Sequence, residues 1–411
     1  MSESTPSSNR SGTSTRLLLV CTILAFVNLG IPDGLLGTAW PSIRDSFHLS
    51  LDSVGFLLAS ITIGYLFGTA QSGRIVARLG LKRFLIAATL IRGIGLVGYV
   101  IAPNWLVFVV AGGIAGLGGG GMDAGFNTYL SLRYTAGALN WFHATFGMGA
   151  TAGPLIMARI LETQQSWRWG YALLLLSQLL LILLVFWLRT PDNLDDASVS
   201  SNDRGESLLE SPHLRTLFCF PRFWIGILLF LVYSGFEVSV GQWSFTLFTE
   251  SRGVAGPSAS LWISVYWGSL TVGRMIWGSF IDRLNIVWVL SVCALVAVIG
   301  TFLIAFIPVD TLSFISLILI GFALAPIFPA LIAMAPAKFS RLYLADALGL
   351  QITSANLGVA ALPALVGVVS RAAGLESIRI CFIVFSIVLF ALIARYLTLS
   401  KINSMDTNTS M

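Results

Sequence analysis

Long apolar runs alternate with short polar breaks over almost the whole chain. Twelve runs reach the length of a membrane-spanning helix: 17–43, 52–74, 82–102, 105–131, 137–161, 168–189, 221–249, 258–281, 286–307, 311–335, 343–370 and 376–399. A helix crosses the hydrocarbon core in about 20 residues and a tilted barrel strand in about 10, so runs of this length predict helices. Proline and glycine occur inside many of them, which membrane helices tolerate. The one long hydrophilic interior stretch, RTPDNLDDASVSSNDRGESLLESPHLR at 189–215, follows the sixth run and divides the chain into six and six. The pattern therefore predicts an all-α membrane protein. A disordered polar tail over 1–16 leads into a six-helix bundle over 17–189, a linker over 190–220, a second six-helix bundle over 221–399 and a tail over 400–411.

Composition agrees: 56% of the 411 residues are hydrophobic and 10% charged, against roughly a quarter charged in soluble domains. The net charge of +5 sits in short loops and gives no reason to expect a nucleic-acid partner. An even number of spans puts both termini on one side. That side receives 17 of the 24 Lys and Arg, Arg274 among them, and the other side six, with Arg92 left inside a span. An excess of this size makes the termini cytoplasmic. The Ser/Thr-rich N-terminus is followed by no cleavage site, so the first helix is expected to stay. Four scattered cysteines, no CxxC and three histidines predict neither a disulfide framework nor a metal site, and no cofactor is expected. Short loops and tails lead to the expectation of a monomer in a plasma (inner) membrane.

The two halves repeat each other. GTAQSGRIVARLG (68–80) matches GRMIWGSFIDRLN (273–285) at an offset of 205, through Gly68, Gly73, Arg78 and Leu79 against Gly273, Gly278, Arg283 and Leu284. Asp33 and Gly37 in the first helix match Glu237 and Gly241 at an offset of 204, and GATAGP (149–154) matches GVAALP (358–363) at 209. Two related six-helix halves with a site between them are a transporter architecture.

Ionisable residues inside spans are costly, about 2.5–3.5 kcal/mol or more at the bilayer centre, and so mark function. Four stand well inside: Asp33, Arg92, Asp123 and Glu237. Asp33 follows Pro32, which lacks the N–H that would bond the Asn28 carbonyl, so an acid sits beside a freed acceptor at a kink. Glu237 is its repeat mate, with Gln242 and Trp243 following. A carboxylate, an amide and an indole together suit a sugar or related polyol, whose hydroxyls pair with the polar groups while its less polar face stacks on the ring. Asp123 and Asn127 share one face of the fourth helix, and Asn140 and His143 lie at the start of the fifth. A desolvated acid there can carry a proton. Arg92 is expected to neutralise Asp33 or Asp123. The glycines of GLGGGG (116–121) thin a helix face for close packing, and Pro326 and Pro329 predict a bend in the tenth helix. Trp40, Gln351 and Asn356 are further candidates for the cavity wall. Phe322 and Phe328 read more readily as lipid-facing packing.

The loop after the second helix, GRIVARLGLKR (73–83), resembles the signature of the major facilitator superfamily, with Ala77 where that family usually carries Asp and Asp282 keeping the acid in the second copy. The resemblance extends over 17–399 and implies the major facilitator fold, two pseudo-symmetric bundles of six helices. It also implies that Gly73, Arg78, Arg83, Asp282 and Arg283 serve an inner gate. Within the superfamily the chain looks most like fucose-permease-type sugar transporters. The matching residues are Asp33 in DGLLGTAWPSIRDSF, then Gly116, Gly120, Asp123, Ala124 and Asn127, the stretch Leu139 to Gly149, Gly235 with Glu237 and Trp243, and APIFP at 325–329. That likeness implies import of a sugar or related small polar solute by alternating access, in symport with a proton. Asp123 would be the proton carrier and Asp33 would lie at the substrate, with Arg92 and His143 in the coupling network. Sodium is the alternative ion, because Asp33 with freed carbonyls makes an oxygen-ligand site. Proton-antiport efflux of amphipathic compounds is the other alternative, since aromatics are plentiful. A scaffold that kept the fold without transport would have no use for acids in both halves. No Walker A pattern and no nucleophile–base or metal pattern points to an ATP-driven pump or an enzyme.

Overall fold

The computed structural model describes residues 8–133, 136–187, 214–280, 284–307 and 310–399, all helix and connecting turns. The first half contains α1 (Ser8–Phe47), α2 (Val54–Leu79), α3 (Leu81–Ile101), α4 (Trp105–Arg133), α5 (Ala136–Glu162) and α6 (Arg168–Trp187). After a short helix α7 (Leu214–Phe218) the second half contains α8 (Pro221–Thr246, continued by a π-turn Leu247–Ser251), α9 (Gly256–Phe280), α10 (Ile286–Phe306), α11 (Asp310–Leu324), α12 (Ile327–Lys338), α13 (Arg341–Ala373) and α14 (Ser377–Thr398).

Eleven segments among the described residues are long and apolar enough to cross a membrane. The α9 helix is 25 residues long but rich in Trp, Ser and Gly, which lowers its mean hydropathy. It packs among α5, α8 and α11 as the twelfth helix of that length class. The expected bend in the tenth span is a break: α11 stops at Leu324 and α12 starts at Ile327, with Pro326 between them, because a ring in place of an N–H ends the hydrogen-bond ladder. Two boundaries differ from the sequence reading. Residues 8–16 continue α1 rather than a disordered tail, since each residue added to a formed helix gains a hydrogen bond. The α7 helix lies inside the stretch read as linker, while 190–213 and 400–411 lie outside the described residues.

The packing explains the glycine run of α4. A side chain at Gly116 or Gly120 would collide with the backbone carbonyls of Ile61 or Tyr65 on α2, and one at Gly118 with the backbone of Arg92 on α3. The helix is therefore thin on two faces, and α2 and α3 close on it from both sides. Apolar side chains also stay exposed in stripes, as Leu173, Leu176, Leu180 and Leu183 do on α6. A lipid-facing surface has this composition, and a soluble protein would hide it.

Candidate functional site

The two halves touch mainly along three helix pairs, α1 with α8, α2 with α13 and α5 with α9. The polar links among the described residues are Arg44 with Glu250 at 3.2 Å, Asp52 with Arg371 at 3.1 Å, and the Ser264 hydroxyl donating to the Thr151 carbonyl at 2.6 Å. The two ion pairs lie where α1, α8 and α13 end and α2 begins, at the end of the bundle distal from the start of α1. Toward the other end, Gly73 and Gly278 have open space around them, and Arg78 and Arg83 are exposed. The halves are thus sealed at the distal end and part toward the end where α1 starts.

The repeat-related glycines mark the centre of that seal. A Cβ on Gly37 would stand 2.6 Å from the Gly241 carbonyl oxygen and 3.0 Å from the Cα of Gln242. One helical turn back from each glycine lies an acid, Asp33 on α1 and Glu237 on α8. Asp33 is exposed although it sits mid-helix among other helices, and it is within electrostatic reach of both Arg92 and Glu237. An exposed carboxylate at this depth faces the gap between the halves.

Glu237 is held from three directions. The Arg274 Nη2 on α9 donates to both carboxylate oxygens, at 3.0 and 3.1 Å. The Tyr233 hydroxyl donates to the same carboxylate from the preceding turn. The Tyr266 hydroxyl donates to the Glu237 backbone carbonyl at 2.7 Å. Phe328 of α12 packs on the Tyr233 ring with centroids 6.0 Å apart, so this aromatic faces protein rather than lipid. Arg274, counted from the sequence with the cations at helix ends, is a correction: it lies within α9 and forms the charge pair of the second half. Its place beside Gly273 in the repeat was the available signal. Removing one partner of such a pair strands the other in a poorly solvated site, which costs up to about 3–5 kcal/mol when fully buried. Because Arg274 is 30% exposed, Arg274→Gln should cost about 1–3 kcal/mol of stability. The double variant Arg274→Gln/Glu237→Gln should recover most of it. Thermal unfolding of the three purified variants checks this, and equal melting of the single and double variants would refute it.

The first half is arranged differently. Arg92 is buried, and its partner is neither carboxylate: Nη2 donates to the Asn28 backbone carbonyl at 3.0 Å and Nε to the Asn28 side-chain oxygen at 3.3 Å. The carbonyl that Pro32 leaves free on α1 is therefore taken by a cation from α3, and Asn28 is in turn tied to Ser177 on α6 at 2.6 Å. Gly119 leaves room for that guanidinium, since a Cβ there would lie 2.8 Å from Nη1. Asp123 accepts from the Tyr65 hydroxyl at 2.6 Å and from Asn127 Nδ2 at 2.9 Å. Asp33 accepts no hydrogen bond among the described residues.

Other expected site residues divide. Gln242 lies in the seal itself, nearly fully buried. Trp243 does not face the gap: it is wholly buried, and its N–H donates to the Pro363 carbonyl on α13 at 2.9 Å. Gln351 is also wholly buried, packed against Gly226 between α8 and α13. Trp40 is buried beside Trp105 in a distal aromatic cluster. Asn356 is partly exposed, with its amide bonded to the Ile352 carbonyl one turn back at 3.0 Å. Asn140 and His143 lie on the first turns of α5, with side chains outside the described residues, and Asp282 and Arg283 also fall outside them. Sequence reasoning missed Asn28, Tyr65, Tyr233, Tyr266 and Arg274. Apart from Arg274, none of them carries a charge that would have marked it as expensive in a membrane.

The chain is similar to several known proteins in sequence and in fold. The chain is 22% identical over 407 residues to Bypass of stop codon protein 6 of Saccharomyces cerevisiae, covering 90% of this chain and 81% of that protein. Its fold is similar to the nucleoside transporter NupG, with a TM-score of 0.76 at 16% identity, covering 93% of this chain and all of that one. A variant of the E. coli fucose:proton symporter FucP aligns with a TM-score of 0.62 at 17% identity, covering 92% and 99% of the two chains. Residues 18–257 and 238–409 each match the family model described as Major Facilitator Superfamily. With helices throughout the described residues, two halves sealed at one end and charged side chains at the apex of the gap between them, the chain belongs to the major facilitator superfamily and is a secondary transporter.

Proposed function

We propose that this transporter imports a sugar or related small polar solute in symport with a proton, with its termini in the cytoplasm and its site between the two six-helix bundles. The observation that carries the reading is the exposed carboxylate of Asp33, one turn from the seal and opposite the Glu237–Arg274 pair. A carboxylate free of hydrogen bonds and open to water can gain and lose a proton. A fixed ion pair across from it offers both donors and acceptors to hydroxyl groups. Asp33 and Asp123 are the proton-carrying acids in this proposal, and Asn127, Glu237 and Arg274 are substrate contacts. Asn140 and His143 remain proposed from sequence alone, as does the gate of Gly73, Arg78, Arg83, Asp282 and Arg283.

Two details favour this reading over its alternatives. The Asn28 carbonyl that would help Asp33 ligate sodium is occupied by Arg92. The apex of the gap presents Asp33, Glu237 and Arg274, charged groups that suit a small polar solute better than an amphipathic one, although the Trp243 indole expected to stack on a sugar is itself buried in packing. The test is uptake of labelled hexoses into proteoliposomes under an imposed pH or sodium gradient. A pH gradient should drive accumulation, and Asp123→Asn should slow gradient-driven uptake by about a hundredfold, the low end of what is typical for loss of a proton-transfer group. Accumulation driven only by sodium, or an Asp123→Asn protein that behaves as the unaltered one, would overturn the proton assignment.

A further inference from the structure

Where α2 turns into α3 the surface holds a cavity of about 570 Å³, lined among others by Ala77, Arg78, Leu79, Lys82, Arg83 and Ile86. We propose that this groove is a binding site for an anionic phospholipid, with the lipid phosphate between the cations and an acyl chain along α3.

Charge is the first argument. Three of the lining residues are cations and none is an acid. Arg74 stands one turn earlier on α2. Among the described residues, none of Arg74, Arg78, Lys82 and Arg83 makes a hydrogen bond or ion pair with another side chain. Position 77, where an acid would offset them, is Ala.

The backbone adds to the field. The helix reversal passes through Gly80 at φ 77°, a conformation that favours glycine. Gly80 is also the N-cap of the 21-residue α3 and makes no side-chain cap, so the first amide N–H groups of that helix are left to an external acceptor.

The third argument is apolar. On α3 the positions Arg83, Ala87, Leu90, Ile94, Val97 and Ile101 recur at steps of four and three and share one face. Four of them are exposed apolar side chains, Leu90 at 43%, Ile94 at 62%, Val97 at 40% and Ile101 at 67%. From Arg83 to Ile94 the helix rises about 16 Å, the depth of one leaflet of a ~30 Å core. A headgroup at Arg83 would thus place its acyl chain on the exposed stripe. A free phosphate would use only the upper part of the site, whereas a phospholipid uses both parts.

The full chain in detergent is equilibrated with equal amounts of phosphatidylglycerol and phosphatidylcholine, and retained lipid is counted by native mass spectrometry. Phosphatidylglycerol should be retained in preference. Arg78→Gln/Lys82→Gln/Arg83→Gln should lower its retention by roughly fivefold for each cation removed. Ala77→Asp, which puts a carboxylate in the groove and leaves every cation in place, should lower it as well. Arg159→Gln, an exposed cation near the distal end of α5, should leave it unchanged, and inorganic phosphate should not displace the lipid. The proposal is overturned if the triple variant and Ala77→Asp retain phosphatidylglycerol like the unaltered chain, or if inorganic phosphate displaces it. It is equally overturned if phosphatidylglycerol is retained only after Asp192, Asp195, Asp196 and Asp203 are changed to Asn, which would give the groove to the acidic stretch of this chain.

Discussion

Asp33→Asn is expected to abolish gradient-driven accumulation while leaving exchange of substrate across the membrane in place. Asn keeps the size of the side chain but cannot lose a proton, so the halves could still rock with substrate bound. One proton moved across 100 mV supplies about 2.3 kcal/mol, which at about 1.4 kcal/mol per tenfold corresponds to roughly fiftyfold accumulation. In Asp33→Asn that ratio should fall to unity. Asp33 is the sensitive position because it is the exposed one. Glu237 is paired with Arg274, and Asp123 is shared between Tyr65 and Asn127. Counterflow in proteoliposomes, with labelled substrate outside and unlabelled inside, separates the outcomes. Exchange without accumulation supports Asp33 as the coupling acid. Full accumulation by Asp33→Asn would remove it from that role, and loss of exchange as well would make it a substrate contact.

Much of this arrangement is legible in the sequence, and the reasons differ between the parts. Twelve runs of spanning length define the helices because every backbone polar group in a bilayer must be satisfied within its own segment. The glycines of α4 announce close packing because a bare helix face has no other use in lipid. The repeat of Asp33 and Gly37 as Glu237 and Gly241 places both acids one turn from the crossing of α1 and α8, and the structure puts that crossing where the glycines meet.

The rest depends on which neighbour each face turns toward, and no helical period records that. The free carbonyl beside Pro32 could be read from the chain, but not that Arg92 would reach it from α3. Arg274 looked like a helix-end cation because basic residues gather there, and its depth is set by how α9 crosses α8. Trp243 follows Glu237 by six residues, so it points to a different side of α8, and the approach of α13 on that side buries it.

The second large effect concerns that crossing. Gly37→Val should cost transport by preventing the distal seal rather than by disturbing the site. A Cβ at Gly37 would stand 2.6 Å from the Gly241 carbonyl oxygen, with Gln242 backbone atoms at 3.0 Å. The obstacle on each side is helix backbone, which cannot turn aside as a flexible side chain can. Overpacking of this kind costs typically about 1–3 kcal/mol, and valine adds two further methyl groups to that contact. The collision exists only while α1 and α8 are in contact at the seal, so the cost falls on the sealed state alone. It would shift the balance away from that state by roughly 5- to 150-fold. Uptake should fall accordingly, while substrate binding from the distal side persists and the protein remains folded. A cysteine placed at Gln242, buried in the sealed state, should become reactive to a membrane-impermeant maleimide in the Gly37→Val background. If that cysteine stays protected and uptake is normal, the α1–α8 glycine contact is not what closes the distal end. If it becomes reactive and substrate still binds, the seal and the acid site one turn away from it are separable. Energy from the proton at Asp33 would then have to reach the seal through α1 itself.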